Sequence, residues 1–273
     1  MHWFLFLALA SGPALAFKAK SASNAELVEA LDSSERDIRV DAAVEIQRRV
    51  VVDAAPKLIE LVKSDPEVAV RKKALVALEA IRPDELYTVC DYVVRNDSDK
   101  GQRSKALVIL EKTGPSSFSA TVGYALANDE DIGVRRKAAI IIGKRGWADQ
   151  QDALLAGAED TDDKTRYASY RALIRLGDES TRALVHAGLE NMDDEKLREE
   201  IARGLGESPL AVDRDPLIAR LDDPDVDVAV LSARALAKLG DTSVGPMLRE
   251  KSSQVTEEKR AEEFAKAAAQ LGG

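Results

Sequence analysis

The sequence predicts an all-α chain folded as an α-solenoid of about eight helical hairpins, and three observations predict it. The first is a repeat: Arg39, Arg71, Arg103 and Arg135 recur every 32 residues, in the frames Ile38-Arg39-Val40-Asp41-Ala42-Ala43, Val70-Arg71-Lys72-Lys73-Ala74-Leu75, Gln102-Arg103-Ser104-Lys105-Ala106-Leu107 and Val134-Arg135-Arg136-Lys137-Ala138-Ala139. Arg166, Arg198 and, past Ala229 in the equivalent place, Arg260 continue the series with single-residue slips. The second is an aspartate six residues before that position: Asp65, Asp97, Asp129, Asp160 and Asp223. The third is a glycine eleven residues after it, at Gly114, Gly146, Gly177 and Gly240.

Each unit then resolves into two helices. Between aspartate and glycine lies a helix of about three turns, started in an acidic loop and stopped where glycine suits a left-handed cap. Its positions −1, +3, +4 and +7 from the arginine form one continuous apolar face at helical spacing. Ile46, Leu78, Leu110, Ile142, Leu173, Leu205 and Leu236 hold the +7 place, and Ala42, Ala74, Ala106 and Ala138 at +3 let neighbouring helices approach closely. The other helix of each hairpin is read from Leu27, Val28 and Leu31; Leu58, Ile59, Leu61 and Val62; Leu86, Val89, Cys90 and Val93; Leu154 and Leu155; Leu184, Val185 and Leu189; Leu217, Ile218 and Leu221. A lone hairpin cannot cover such a face, so the hairpins must stack.

The stretch before the first hairpin reads as a leader. Trp3 to Leu9 is an unbroken apolar run, Gly12 and Pro13 break it, and Ala14-Leu15-Ala16 suits cleavage before Phe17, although the start carries no Lys or Arg. The uncharged stretch ends at Lys18, short of a bilayer span. The expected organisation is a signal peptide over 1–16, a flexible segment over 17–24 and a single solenoid over 25–273. The expected address is the periplasm or the exterior.

Composition excludes several classes of function. The net charge of −9 and a pI near 5.0, with only 4% aromatics, argue against a nucleic-acid binder. Cys90 is the only cysteine, so no intrachain disulfide or multi-cysteine zinc site can form. His2 lies in the leader, which leaves His186 as the one imidazole of the mature chain and makes a histidine-rich metal site or a His-dependent triad hard to build. No catalytic, cofactor-binding or metal-binding set is therefore expected. Cys90, in phase with Leu86 and Val93, reads as a core side chain, His186 as packing or surface, and Trp147 as a staple between hairpins.

The repeat arginine lies inside the apolar sector, where a guanidinium is costly unless paired. The conserved-phase aspartates are its natural partners: each can cap the helix that follows and accept from the arginine of its own or the adjacent unit. Asp65, Asp97, Asp129, Asp160 and Asp223 with Arg39, Arg71, Arg103, Arg135, Arg166 and Arg198 thus form a structural ladder. Met192 before Arg198, and Ala229 after Asp223, leave rungs with one partner missing, so the ladder should loosen around the sixth and seventh units.

An Asp six residues before the Arg of Val-Arg-x-x-Ala, as in Asp65-Pro66-Glu67-Val68-Ala69-Val70-Arg71-Lys72-Lys73-Ala74, resembles HEAT repeats, in particular the phycobilisome-lyase-like group, over roughly residues 25 to 270. The resemblance implies a curved right-handed solenoid with the second helices on its inner surface, and a role in protein binding or scaffolding. Deoxyhypusine hydroxylases share the repeat but hold iron with His-Glu pairs, and this chain has no His-Glu dipeptide. A bilin-lyase-like enzyme subunit remains an alternative, as does a cytosolic adaptor whose leader is misread.

On the second helices, the positions pointing away from the apolar face carry Lys72, Lys73 and Val76; Lys105, Val108 and Lys112; and Arg136, Lys137, Ile140 and Lys144. Arg171, Arg175, Arg203, Arg234 and Lys238 continue the series. This is a basic strip on an acidic protein. It reads either as a solvated face balanced by loops such as Asp129-Glu130-Asp131, or as a docking face for a protein partner, an acidic or extended one. The expected function is a non-enzymatic, exported protein-binding scaffold.

Overall fold

A computed structural model describes residues 17–272, so the leader read over 1–16 lies outside the described residues. Among them the chain is entirely helical, with no strand. Sixteen α-helices follow one another, beginning with α1 (Asn24–Ala30) and α2 (Arg36–Arg49), α3 (Ala55–Ser64) and α4 (Val68–Ile81), α5 (Leu86–Asn96) and α6 (Lys100–Thr113), and α7 (Ser119–Asn128) and α8 (Ile132–Arg145). The series ends with α9 (Gln151–Gly157) and α10 (Asp163–Leu176), α11 (Arg182–Glu190) and α12 (Glu195–Glu207), α13 (Arg214–Ala219) and α14 (Val226–Leu239), and α15 (Gly245–Gln254) and α16 (Glu258–Gln270). The architecture is the α-solenoid that the repeat predicts.

The described residues divide into two compact units, 17–93 and 94–272. In the first, α2 packs on α1 and α4, and α3 on α4. In the second, the even-numbered helices from α6 to α16 pack on one another in sequence, and the odd-numbered helices cover them from one side. The +7 side chains Ile46, Leu78, Leu110, Ile142, Leu173, Leu205 and Leu236 and the +3 alanines are all buried, as is Cys90. A buried leucine of this kind contributes about 2 kcal/mol through loss of its contact with water.

The helix ends correct two expectations. The ladder aspartates do not cap the following helix: each stands two residues before the cap, and its Oδ1 accepts from the backbone N–H of the cap residue, as with Asp97 and Asp99 at 2.8 Å or Asp129 and Asp131 at 2.9 Å. That second acid is the cap, its carboxylate accepting from the first turn at Asp99, Asp131, Asp162 and Asp225. At the other end, Gly146, Gly177 and Gly240 are left-handed as expected, but Gly114 is not (φ −66°, ψ 139°). Pro115 holds the residue before it extended, and Gly114 serves close approach instead, since a Cβ there would lie 2.7 Å from the Leu110 carbonyl oxygen. Val50 and Arg82 take the left-handed cap without being glycine.

Segment 17–24, read from the sequence as a flexible lead-in, makes specific contacts. α1 already starts at Asn24 behind a Ser23–Glu26 capping box. The Arg49 guanidinium donates to the carbonyls of Ala22 (2.7 Å), Lys20 (3.0 Å) and Ala19 (3.2 Å).

Candidate functional site

The ladder is built across hairpins, not within them. Arg39 donates through Nε and Nη2 to both carboxylate oxygens of Asp65 at 2.7 and 3.0 Å, Arg103 to those of Asp129 at 2.7 and 2.8 Å, and Arg135 to those of Asp160 at 2.7 and 3.0 Å. Arg198 does the same with Asp223 at 3.0 and 3.1 Å. The remaining Nη1 turns back to the loop of its own hairpin: Arg71 to the Asp65 carbonyl, Arg103 to that of Asp97, Arg135 to that of Asp129. Asp65, Asp129, Asp160 and Asp223 therefore each receive one arginine on the side chain and the next on the backbone. Paired in this bidentate way the buried charges are tolerated, and Arg135 holds the Asp160 carboxyl below its usual range.

The ladder changes at two places. Where Met192 replaces the aspartate, Arg166 finds Asp194 instead, through a single Nη2 contact of 3.1 Å, and the pair stays partly open to solvent (24% and 20% exposed). Asp194 also caps α12 through Leu197 N–H and accepts from the Tyr167 hydroxyl at 3.1 Å. Burial, then the charge of Asp194, pushes the Tyr167 hydroxyl up to about 12. The rung at Asp223, also expected to loosen, is not loose. Arg198–Asp223 is the most buried pair (2% and 0% exposed), and with Ala229 unable to donate, Arg260 from α16 reaches the Asp223 carbonyl at 2.8 Å.

Beside the changed rung lies a groove of about 410 Å³ between α8 and α10, wholly within the second unit. Arg136, Ile140, Gly143 and Lys144 line it from α8; Lys164, Tyr167, Ala168, Arg171, Ala172 and Arg175 from α10; and Glu200 from α12. Arg136, Ile140, Lys144, Arg171 and Arg175 of the predicted basic strip are thus brought together. Lys137, on the same helix, does not line it, nor do Lys105 and Val108 of α6. Lys72, Lys73 and Val76 lie on α4 in the first unit, Lys73 exposed and the other two half-buried.

Sequence reasoning missed Lys164, Tyr167 and Glu200. Lys164 lies two residues before the repeat arginine, outside the strip positions, Tyr167 holds the uncharged +1 place where Lys72 and Arg136 stand in other units, and only the fold of the neighbouring helix brings Glu200 to the groove. The electrostatics are lopsided: five cations face one carboxylate. Arg136 and Lys164 make no ion pair among the described residues, while Lys144 meets Glu111 at 3.0 Å. Arg171 and Arg175 face Glu200 and Glu207 only at 3.7 to 3.8 Å. Ile140 (42% exposed), Ala168 and Ala172 give the groove an apolar floor. Such a surface can hold an anionic chain.

The other singled-out residues are structural in placement. Trp147 is buried, with Arg145 stacked on it at 4.8 Å while the same guanidinium donates to the Glu111 and Gly114 carbonyls at 2.6 and 2.8 Å. His186 Nε2 lies 2.8 Å from Oδ1 of the fully buried Asp213, which Arg182 also approaches at 3.6 Å. Among the described residues no group of three or more His, Cys, Asp or Glu could hold a metal ion, and no helix is long and apolar enough to cross a membrane.

Residues 119–206, which include α7 to α12, match the family model of HEAT repeats. Among solved structures, the chain is similar to Escherichia coli YibA (20% identity, TM-score 0.56, covering 93% of this chain and 94% of that one). It is also similar to the CpcE–CpcF complex of phycocyanin lyase from Nostoc (14% identity, TM-score 0.44, covering 97% and 99%) and to human deoxyhypusine hydroxylase (19% identity, TM-score 0.41, covering 79% and 84%). No curated protein matches it. Residues 119–206 thus carry HEAT repeats, and the likeness to YibA, at 20% identity, is one of fold.

Proposed function

We propose that this chain is an exported, non-enzymatic scaffold that receives a protein partner on the α8–α10 face. One observation carries the reading: on a chain of net charge −9, five cations gather around one groove, two of them with no internal partner. A solvated helix face would be expected to neutralise itself, because nearby acids are plentiful in this composition. The unneutralised groove instead favours encounter with an acidic surface and sets its register. Export rests on the apolar leader ending at Ala16.

Reversing two charges, Arg136→Glu with Lys164→Glu, should lower recovery of the partner from the exported fraction of the native host at least tenfold. The thermal midpoint should stay within a degree or two, since neither side chain is in an ion pair. Equal recovery by the double variant removes the docking assignment. N-terminal sequencing of the protein from that host should read from Phe17; an intact Met1 places it in the cytosol and removes export.

A further inference from the structure

Resting on the docking reading above, we propose that the occupant of the α8–α10 groove is an extended acidic polypeptide segment of about five residues, and that Glu207 and Glu200 stand in for its carboxylates while the groove is empty. The length follows from the cations. Lys164, Arg171 and Arg175 are spread along eleven residues of α10, about 16 Å at 1.5 Å per residue, which matches about five residues of extended chain. Arg136 and Lys144, two turns apart on α8, face them across the groove. Charges spaced along two rims do not converge on one point as a phosphate cradle would. They suit carboxylates that recur along a strand, with alternate small side chains on the floor of Ile140, Ala168 and Ala172.

The stand-in role follows from distance. Glu207 sits between Arg171 and Arg175, 3.7 Å from each, and Glu200 is 3.8 Å from Arg171. These separations exceed hydrogen-bond reach, and both arginines are about half exposed, so the contacts contribute little and their guanidinium N–H groups stay open to a better acceptor. A strand carboxylate placed between the two arginines could accept from both directly, in the bidentate manner the ladder already uses. Glu207 then competes with the partner for the same two side chains. Its removal should strengthen binding instead of weakening it.

The test is fluorescence anisotropy at low salt with a labelled decapeptide of alternating Glu and Ala. Wild type should bind it, Glu207→Gln about two- to fivefold tighter, the range expected from releasing exposed ion pairs, and Arg136→Glu with Lys164→Glu at least tenfold weaker. Glu250→Gln, on α15 and away from the groove, changes the net charge equally and should leave affinity unchanged. If Glu207→Gln and Glu250→Gln tighten binding to the same degree, or neither does, the stand-in role is overturned while docking survives. If inorganic tripolyphosphate binds as tightly as the peptide, the extended segment is overturned. If the wild type does not bind the peptide, or the double reversal binds it as well as the wild type, the docking reading falls as well.

Discussion

Gly143 on α8 and Gly206 on α12 occupy the same place in the repeat, eight residues after Arg135 and Arg198, and each faces the equivalent alanine of the next hairpin. Yet a Cβ on Gly143 would lie 2.8 Å from the Ala172 Cβ, whereas on Gly206 it would lie 3.7 Å from the Ala235 Cβ. Helices α8 and α10 therefore approach more closely than α12 and α14. The two regions differ in charge in the same direction. On α12, α14 and α16 the outward cations are neutralised: Arg203 and Lys196 by Glu199, Arg234 by Glu263 at 2.8 Å, and Lys259 by Asp227. On α8 and α10 Lys144 is paired with Glu111, but Arg171 and Arg175 meet carboxylates only at 3.7 to 3.8 Å, and Arg136 and Lys164 make no ion pair among the described residues. One repeat thus supports two surfaces, a self-satisfied one and a more open one, and the difference lies in where the acids stand: Glu199 on α12 itself, Glu263 and Asp227 on the facing helix.

The largest expected effect compares the rungs of these regions. Arg198→Met leaves the Asp223 carboxylate without its bidentate partner in a site closed to water and should cost about 3 kcal/mol in chemical denaturation. Arg166→Met, at the partly open rung beside the groove, should cost about 1 kcal/mol, because water and the Tyr167 hydroxyl can still serve Asp194. Equal losses would mean that exposure does not separate the two rungs.

A smaller effect tests the approach of the helices. Gly143→Ala forces α8 and α10 apart and should destabilise by about 1–2 kcal/mol, overlap outweighing the gain in helix propensity. Gly206→Ala meets only ordinary contacts and should stabilise by about 0.5 kcal/mol. The same substitution at the same repeat position then has opposite signs. Matching thermal midpoints for the two variants would erase the structural contrast.

The fold was legible because its period is long, repeated and written in apolar residues: phase on one helix follows from residue spacing alone. What spacing cannot supply is the neighbour. The aspartate that takes Arg135 lies 25 residues away on the next hairpin, and Glu263, which neutralises Arg234, lies 29 residues away; Glu199, four residues before Arg203 on the same helix, was legible from spacing, and leaving it out let the basic strip run too far toward the C-terminus. The Asp-x-Asp spacing of Asp97 with Asp99 and Asp160 with Asp162 did carry a signal, one acid for the ladder and one for the cap, that separates them once the caps are seen. Arg260, reaching Asp223 from 37 residues away, left none.

The subtlest difference should emerge with acid. Arg234, and after it Lys266, hold the Glu263 carboxyl down to about 2 from an ordinary 4.5. A carboxylate lowered on folding stabilises the fold above its unfolded value, and that contribution is lost as pH falls from about 4.5 towards 2. Glu263→Gln should accordingly melt below wild type at pH 7, with the gap in thermal midpoint closing across that window. Reversing the charges of the groove, at Arg136 and Lys164, should produce no gap at pH 7, because those cations have no folded-state partner whose protonation could matter. A wild-type to Glu263→Gln gap that persists unchanged at pH 2 would show that the carboxylate's charge does not bind α16 to α14, and the contrast between a neutralised surface and an open one would then rest on geometry alone.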